Sequence, residues 1–308
     1  DSILKITEDT MPGELSNVTA GRVANIFNLN GPNMTMDAAC ASSMAALDYA
    51  VLGLRANKFD MAIAGGADEM MSPPAFVKFC KIGALSADGS YSFDERANGF
   101  VMAEAVSIYI LKRLSDAVRD GDKIYGVITG IGLSNDIGGS LLAPNTAGQL
   151  YAMRAAYRQA RLSPSQVDLI ECHATGTPTG DPVEVESLKT LWGERGWSAG
   201  QCALGSVKSN IGHLLTAAGA AGMMKVLLSF QNKSLPPTAN FSKPGPKVKL
   251  SGSPFRVQSK CGDWASRDGK TPRRAAVSAF GFGGINAHVL VEEYAGAFFP
   301  AARRPAAK

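Results

Sequence analysis

The sequence predicts an α/β protein in which helices cover a largely buried sheet. Short apolar runs alternate along the chain with longer helical segments. Near-continuous apolar strands are typical of a sheet that is covered on both faces. In each half of the chain, reactive residue types stand where a strand or a short loop meets a helix. This repetition suggests two similar halves, which we place at residues 1–135 and 136–294, followed by a linker at 295–308.

In the first half, a helix is predicted over residues 15–28, because Asn-Gly-Pro at 30–32 ends it. Its apolar side chains are expected to face inward: Val18, Val23, Ile26 and Phe27. A second helix is predicted over residues 41–56. Strands are predicted over residues 60–66, 101–111 and 123–134. Residues 72–99 are expected to be irregular, because they are rich in Ser, Pro, Gly and Asp.

The second half is expected to alternate in the same way. Helices are predicted over residues 146–161, 181–191 and 213–231, and strands over 167–172, 203–207, 255–257, 274–280 and 287–293. Pro182 suits the first turn of its helix. Residues 240–270 are expected to be rich in loops and to contain at most one short strand. The last two strands form a pair that is turned by Gly281-Phe282-Gly283-Gly284.

Composition excludes several classes of function. The chain has 308 residues and a net charge of +4 that is spread along it, without the basic and aromatic patch typical of nucleic-acid binding. The apolar run at 214–230 contains Lys225 and is expected to be a buried helix and not a membrane span. The five cysteines are odd in number and form no C-x-x-C pair, so we expect no disulfide framework, no metal site and a cytoplasmic location.

Cys40 is the candidate nucleophile. It lies among small residues in Met36-Asp37-Ala38-Ala39-Cys40-Ala41-Ser42-Ser43, directly before an Ala-rich helical run. A helix N-terminus presents unpaired N–H groups and a positive dipole end, which predicts a lowered pKa and a thiolate. The alternative is an inert buried thiol.

Two of the three histidines lie in motifs of unusual composition. His173 follows a strand and begins HATGTPTGD, while His213 ends KSNIGH and is expected to open a helix. An imidazole at a helix start favours the neutral form, which can donate a hydrogen bond to a carbonyl or an enolate. The glycine-rich turn at 281–284 offers backbone N–H groups for an oxyanion. His288 lies in an apolar strand, and we interpret it as structural.

These pieces predict one reaction if they converge. Cys40 would take an acyl group as a thioester. His173 and His213 would polarise a second thioester carbonyl, so that loss of CO2 leaves a stabilised carbanion that attacks the acyl group. The alternative for each histidine is a structural core residue.

Four motifs, DAACASS, HATGTPTGD, KSNIGH and SAFGFGGINAH, together resemble the β-ketoacyl synthase family. They occur in the family's order and span nearly the whole chain. The resemblance implies a thiolase-like fold of duplicated α/β/α/β/α layered halves. Because Cys40 comes early for this family, we expect the first strands of the N-terminal half to be missing.

The resemblance also implies roles for single residues. Cys40 is the nucleophile, and His173 and His213 are the decarboxylation pair. Lys208 supports the site by pairing with a carboxylate or by ordering His173, and Asp181 closes its loop. The remaining implied roles are pantetheine contacts from Thr175 and Thr177, an oxyanion hole of the Cys40 and Phe282 N–H groups, and a gate formed by the Phe282 ring.

Within the family, HLLTAAGAAGMMK favours a domain of a polyketide or polyunsaturated fatty acid synthase. The implied partners are an acyl carrier protein, a second copy in a homodimer and a neighbouring acyltransferase domain. Substrates would arrive on the phosphopantetheine arm of the carrier, and no bound cofactor is expected. Ala103 and Ala105 replace the glycines usual in the family and could reshape the pocket wall or be absorbed by neighbours.

The Cys-His-His set argues against three relatives. A thiolase proper would have a second catalytic cysteine, an initiating enzyme that uses coenzyme A would have Asn in place of His213, and an inactive chain-length factor would lack Cys40. The remaining alternative is a non-catalytic or truncated ketosynthase-like scaffold for dimerisation and carrier docking.

Overall fold

The structure, a computed structural model, describes residues 5–69, 71–136, 138, 141 and 143–296. Residues up to Asp37 and residues from Ala38 onward form two compact units. The predicted linker lies outside the described residues from 297 onward. In the described part of the chain, no helix is long and apolar enough to cross a membrane.

The first unit contains two helices, α1 (Thr10–Glu14) and α2 (Ser16–Ile26). The second helix confirms the prediction for residues 15–28, but the expected inward face is wrong. Ile26 and Phe27 are 76% and 66% exposed. Within this unit the short α1 is too small to bury them.

The second unit contains the remaining elements. They are α3 (Ser42–Arg55), β1 (Met61–Asp68), α4 (Pro73–Lys81), β2 (Ala105–Lys112), α5 (Leu114–Asp120), β3 (Val127–Asn135), α6 (Thr146–Ala160), β4 (Leu169–Glu171), α7 (Gly180–Trp192), β5 (Cys202–Gly205), α8 (Lys208–Ile211), α9 (Ala218–Asn232), β6 (Ser234–Leu235), β7 (Phe255–Val257), β8 (Gly262–Asp263), β9 (Arg274–Phe280) and β10 (Ile285–Glu292). Helix and strand alternate from α3 to α8, as predicted, whereas five strands follow α9 in succession.

The described strands form one six-stranded sheet and two small ones. The large sheet has the order β3-β10-β9-β4-β5-β7, with antiparallel pairs at the β3 side and parallel pairs from β9 to β7. Strands β1 and β2 pair antiparallel over their full length. The parallel strands β4 and β5 end at the same edge, which brings the residues that follow them together.

Helices cover the large sheet on both faces, because successive side chains along its strands point to opposite sides. Val277 and Val289 pack in one cluster with Met44 of α3 and Met223 of α9. The next residue, Leu290, points the other way and packs with side chains of α6 and α7. The sheet is therefore buried between two helical layers, as the apolar strands predict.

Two details differ from the sequence-based expectations. Residues 73–81, expected to be irregular, form α4, because its two prolines occupy the first turn, where a missing N–H is tolerated. Residues 262–263 add a second short strand to the loop-rich excursion. Strand β3 pairs with β10 in the large sheet, so we propose that the boundary between the halves lies before Val127 and not after residue 135.

Candidate active site

Cys40 lies in a single 3-10 turn, Ala39–Ala41, directly before α3. Ser42 fixes this turn, since its hydroxyl accepts from the Ala38 N–H at 2.8 Å and donates to the Ala39 carbonyl at 2.7 Å. Ala39 has a φ of +47°, a left-handed conformation that costs energy for a residue with a side chain. The strained turn places a buried sulfur at the start of the helix.

The expected thiolate at Cys40 is wrong for the resting protein. Burial raises the pKa of this thiol to about 11, although the Lys208 ammonium and the backbone N–H groups of Phe282 and Cys40 act in the opposite direction. Loss of hydration of the thiolate outweighs these favourable contacts. The thiol is therefore protonated at neutral pH.

His213 lies beside the sulfur but does not open a helix. The sequence after it passes through a 3-10 turn, and α9 begins only at Ala218. The His213 N–H donates to the Val101 carbonyl at 2.7 Å, and the Ala103 N–H donates to the His213 carbonyl at 3.0 Å. These backbone bonds hold the imidazole so that Nε2 is 3.2 Å from the Cys40 sulfur.

His173 approaches from the end of β4. A buried carboxylate on α7, Glu184, accepts from the backbone N–H of His173 at 2.9 Å and of Ala174 at 2.8 Å. The rings of His173 and His213 meet edge to face, with centroids 5.4 Å apart. His173 is only partly buried, which leaves part of the residue accessible to a substrate.

The reactive atoms of Cys40, His173 and His213 all lie within 4.8 Å of one another. The pKa of each imidazole is well below its usual value, first because the ring is buried and second because the Lys208 ammonium is near. The neutral state predicted for His213 is therefore present, but burial and not a helix N-terminus causes it. Cys and His can hold a zinc ion, yet the adjacent ammonium opposes a cation here.

Lys208 begins α8 and is buried, with 2% of its surface exposed. Burial lowers the pKa of its ammonium, whereas the charges of Glu171 and Glu184 favour the protonated form. The Lys208 charge acts on all three members of the cluster. Its side chain is therefore electrostatically coupled to the site, although it forms no salt bridge within the described part of the chain.

The glycine-rich turn reaches the sulfur through its backbone. The N–H groups of Phe282 and Cys40 both interact with the Cys40 thiol. Gly281 permits this approach, because a Cβ there would lie 2.8 Å from the Ala38 carbonyl oxygen. The Phe282 ring stacks on Phe79 of α4 at 6.3 Å, so an aromatic pair stands beside the two donors.

Asp181 closes the loop that follows His173. Its carboxylate accepts from the N–H groups of Gly176 at 3.1 Å, Thr177 at 3.3 Å and Phe93 at 2.7 Å. Thr175 is buried, Thr177 is partly exposed, and their hydroxyl oxygens are 3.5 Å apart. The loop is thus fixed with both hydroxyl groups on one side.

Sequence reasoning missed several residues that support the site. Glu184 holds the His173 backbone, and its position three residues after Asp181 on α7 was a usable signal, since both share one helix face. Phe100 packs edge-on against the His213 ring at 4.9 Å. No local pattern indicated Phe100, because the contact joins distant parts of the chain.

Ala103 and Ala105 pack against neighbouring apolar residues. Their side chains pack on a small cluster formed by Leu214, Ala217 and Ala218.

Known proteins match both parts of this architecture. The model of the β-ketoacyl synthase N-terminal domain matches residues 3–117, and the C-terminal domain model matches residues 125–242. Over 292 residues the chain is 41% identical to a highly reducing polyketide synthase of Aspergillus terreus, covering 92% of this chain and 11% of that protein. Over 279 residues it is 42% identical to polyketide synthase PksL of Bacillus subtilis, covering 90% and 6%.

Solved structures agree. The ketosynthase from module 6 of the bacillaene synthase of Bacillus subtilis superposes with a TM-score of 0.89 at 39% identity, covering 94% of this chain and 53% of that chain. The oxazolomycin ketosynthase domain OzmH KS7 of Streptomyces albus superposes with a TM-score of 0.87 at 36% identity, covering 94% of this chain and 52% of that chain. The chain spans about half the length of these ketosynthases. The predicted family is confirmed: the chain belongs to the β-ketoacyl synthase family and has its thiolase fold.

Proposed function

We propose that this chain catalyses decarboxylative Claisen condensation as a ketosynthase domain of a polyketide synthase. In the first step the Cys40 sulfur attacks an acyl thioester, and the departing carrier thiol takes up the proton that Cys40 gives up. In the second step a malonyl-type thioester loses CO2, and the electron pair of the broken C–C bond attacks the acyl carbon. The new C–C bond forms and the Cys40 thiolate leaves.

The convergence of Cys40, His173 and His213 within 4.8 Å carries this proposal. Nδ1 of both imidazoles is buried without a hydrogen-bond partner in the described structure. An unpartnered acceptor is better tolerated than an unpartnered N–H, which favours rings that carry their proton on Nε2. Two neutral Nε2–H donors are suited to stabilise the enolate that loss of CO2 creates.

The supporting roles follow from position. The Cys40 and Phe282 N–H groups would hold the tetrahedral oxyanion, and the Phe282 ring would gate the acyl pocket. Burial and, after it, the Lys208 ammonium would keep both imidazoles neutral. Thr175 and Thr177 would contact the phosphopantetheine arm, and Asp181 would keep their loop closed.

The partners are proposed from the relatives. Both curated relatives described above are polyketide synthases, which favours polyketide over polyunsaturated fatty acid synthesis. An acyl carrier protein would deliver substrates, an acyltransferase domain would load it, and two copies would form a homodimer. All five cysteines are free, which supports the expected cytoplasmic location.

Labelling of Cys40 separates catalysis from the scaffold alternative. We expect cerulenin or iodoacetamide to modify this residue stoichiometrically, as located by peptide mass mapping, and Cys40→Ala to abolish loading from an acyl thioester. A folded protein that neither labels nor loads would be a scaffold. We also expect His213→Ala to retain loading within about tenfold and to lose condensation, since general acid–base groups contribute roughly 10²–10⁴-fold. Equal loss of both steps would remove the proposed role of His213.

A further inference from the structure

A buried ion pair lies behind the cluster and has no role in the mechanism above. Glu171 ends β4, two residues before His173, and its Oε2 is 2.7 Å from Nζ of Lys225 on α9. The two side chains are 1% and 10% exposed. Burying two charges costs hydration free energy, and the attraction between the charges does not always offset that cost. The presence of the pair here therefore requires a reason.

Two glycines make the space for this pair. A Cβ at Gly205 of β5 would lie 2.9 Å from the Lys225 ammonium, and a Cβ at Gly222 of α9 would lie 2.9 Å from Cγ of Glu171. Neither glycine has a positive φ, so close packing and not backbone conformation requires them. The strand and the helix are therefore shaped around the two charges.

The pair is linked to Lys208 through the backbone. Oε1 of Glu171 accepts from the Val207 N–H at 2.6 Å, which fixes the residue directly before Lys208. Oε2 is occupied by Lys225. Within the described residues Lys208 forms no salt bridge with Glu171, although the two charges attract each other.

Lys208 is surrounded by groups that respond to its charge. Glu171, Glu184, Cys40 and Cys172 favour its protonated form, and Glu171 has the largest effect among them. In return the ammonium lowers the pKa of Cys40, His173 and His213, as well as that of Cys172 and Glu184. A small displacement of this ammonium would therefore change the whole cluster.

We propose that Glu171 and Lys225 form a buried positioning pair for Lys208. Lys225 occupies the carboxylate oxygen that would otherwise capture the Lys208 ammonium, so Glu171 attracts Lys208 without drawing it away from Cys40. This inference rests on the proposed function only for measurements of turnover. The alkylation rate of Cys40 tests the positioning of Lys208 without turnover.

The test is the rate of Cys40 alkylation by iodoacetamide between pH 7 and 9, in a background in which the exposed Cys80 and Cys261 are replaced by Ser. With Lys225→Met, we expect the freed oxygen of Glu171 to draw the Lys208 ammonium towards it and away from the thiol. We expect alkylation at pH 8 to slow by about tenfold, equivalent to one unit of thiol pKa. Lys112→Met, which removes a surface lysine paired with Asp120 and Asp122, is the matched control and should not change the rate.

The double variant Glu171→Gln/Lys225→Met separates positioning from structural support. It removes the negative charge that captures Lys208, so we expect the alkylation rate to return to within about threefold of wild type. A folded Lys225→Met protein that alkylates at the wild-type rate would overturn the inference, as would a double variant as slow as the single one. If Lys225→Met does not fold, Glu171→Gln alone decides. We expect it to slow alkylation at least about threefold at pH 8, because the Lys225 charge, left without its partner and absent from the double variant, repels the Lys208 ammonium and makes it give up its proton more readily. An unchanged rate would refute the proposal.

If the site is assembled but the proposed condensation does not occur, wild-type protein will alkylate at Cys40 yet release no CO2 from a malonyl thioester. The alkylation series would still decide whether Glu171 and Lys225 position Lys208.

Discussion

Gly281→Ala is predicted to damage catalysis more than folding. The new methyl group would lie 2.8 Å from the Ala38 carbonyl oxygen, 2.8 Å from Cγ2 of Ile285 and 3.1 Å from the Ala39 Cβ. Carbon and oxygen atoms do not approach this closely, and one of the three is a backbone atom. The turn at 281–284 must therefore move away from the Ala39–Ala41 turn.

The size of the expected effects on stability and on kcat follows from the contacts between these two turns. Overpacking of this size typically costs about 1–3 kcal/mol of stability. The same movement separates the Phe282 N–H from the Cys40 sulfur, which removes one of two oxyanion donors. Loss of one such donor lowers kcat by roughly 10²–10³-fold, or about 3–4 kcal/mol of transition-state stabilisation.

The assay is acyl loading of Cys40, followed by rapid quench and intact-protein mass spectrometry, with urea unfolding to measure stability. Gly262→Ala is the matched control, because a Cβ there meets one side-chain atom at 3.4 Å, an ordinary contact. We expect the control to load at the wild-type rate. A folded Gly281→Ala protein that loads within about twofold of wild type would refute the assignment of the oxyanion hole.

Two further predictions concern stability. The Asp181 carboxylate accepts from the N–H groups of Phe93, Gly176 and Thr177, and Asp181→Asn would place an NH₂ group against at least one of them. We expect the free energy of unfolding, measured in urea, to fall by about 1–3 kcal/mol. The surface change Asp120→Asn is the control and should lower it less. Equal losses would contradict the loop-closing role. Burial lowers the pKa of His288 to about 3, so the unfolded chain takes up a proton below pH 6.5 that the folded protein does not, and stability falls as pH decreases from 6.5 towards 3. His288→Gln should remove about 1.4 kcal/mol per pH unit from that slope, measured by urea midpoints between pH 6 and 4.5, and parallel curves would exclude this account.

The elements that were predicted from sequence share one property: their signal is local. Short apolar runs identified the two strands of the β9–β10 hairpin, and the strand at 255–257 was located to the residue. Helix α4 was missed because two prolines and a polar neighbourhood resemble a loop, although proline is compatible with a first turn. The start of α9 was misplaced because the backbone of His213 is held by distant residues, Val101 and Ala103.

In the candidate site, too, local signals could be predicted and contacts between distant residues could not. Cys40, His173 and His213 could be selected from their motifs, since each lies where a strand or turn ends. The pKa of Cys40 could not be predicted, because it depends on how much hydration the surrounding fold removes. Glu171 and Lys225 are 54 residues apart, and only the folded sheet brings them together.

The most direct test of the central claim is CO2 release from a malonyl thioester by Cys40→Gln. The amide removes the acyl acceptor and leaves both imidazoles in place, so we expect decarboxylation without condensation. The rate should fall by at least about 10²-fold when His173→Ala or His213→Ala is added, as expected for loss of an oxyanion donor. No CO2 above the level of these double variants would contradict the assignment of His173 and His213 as the decarboxylation pair.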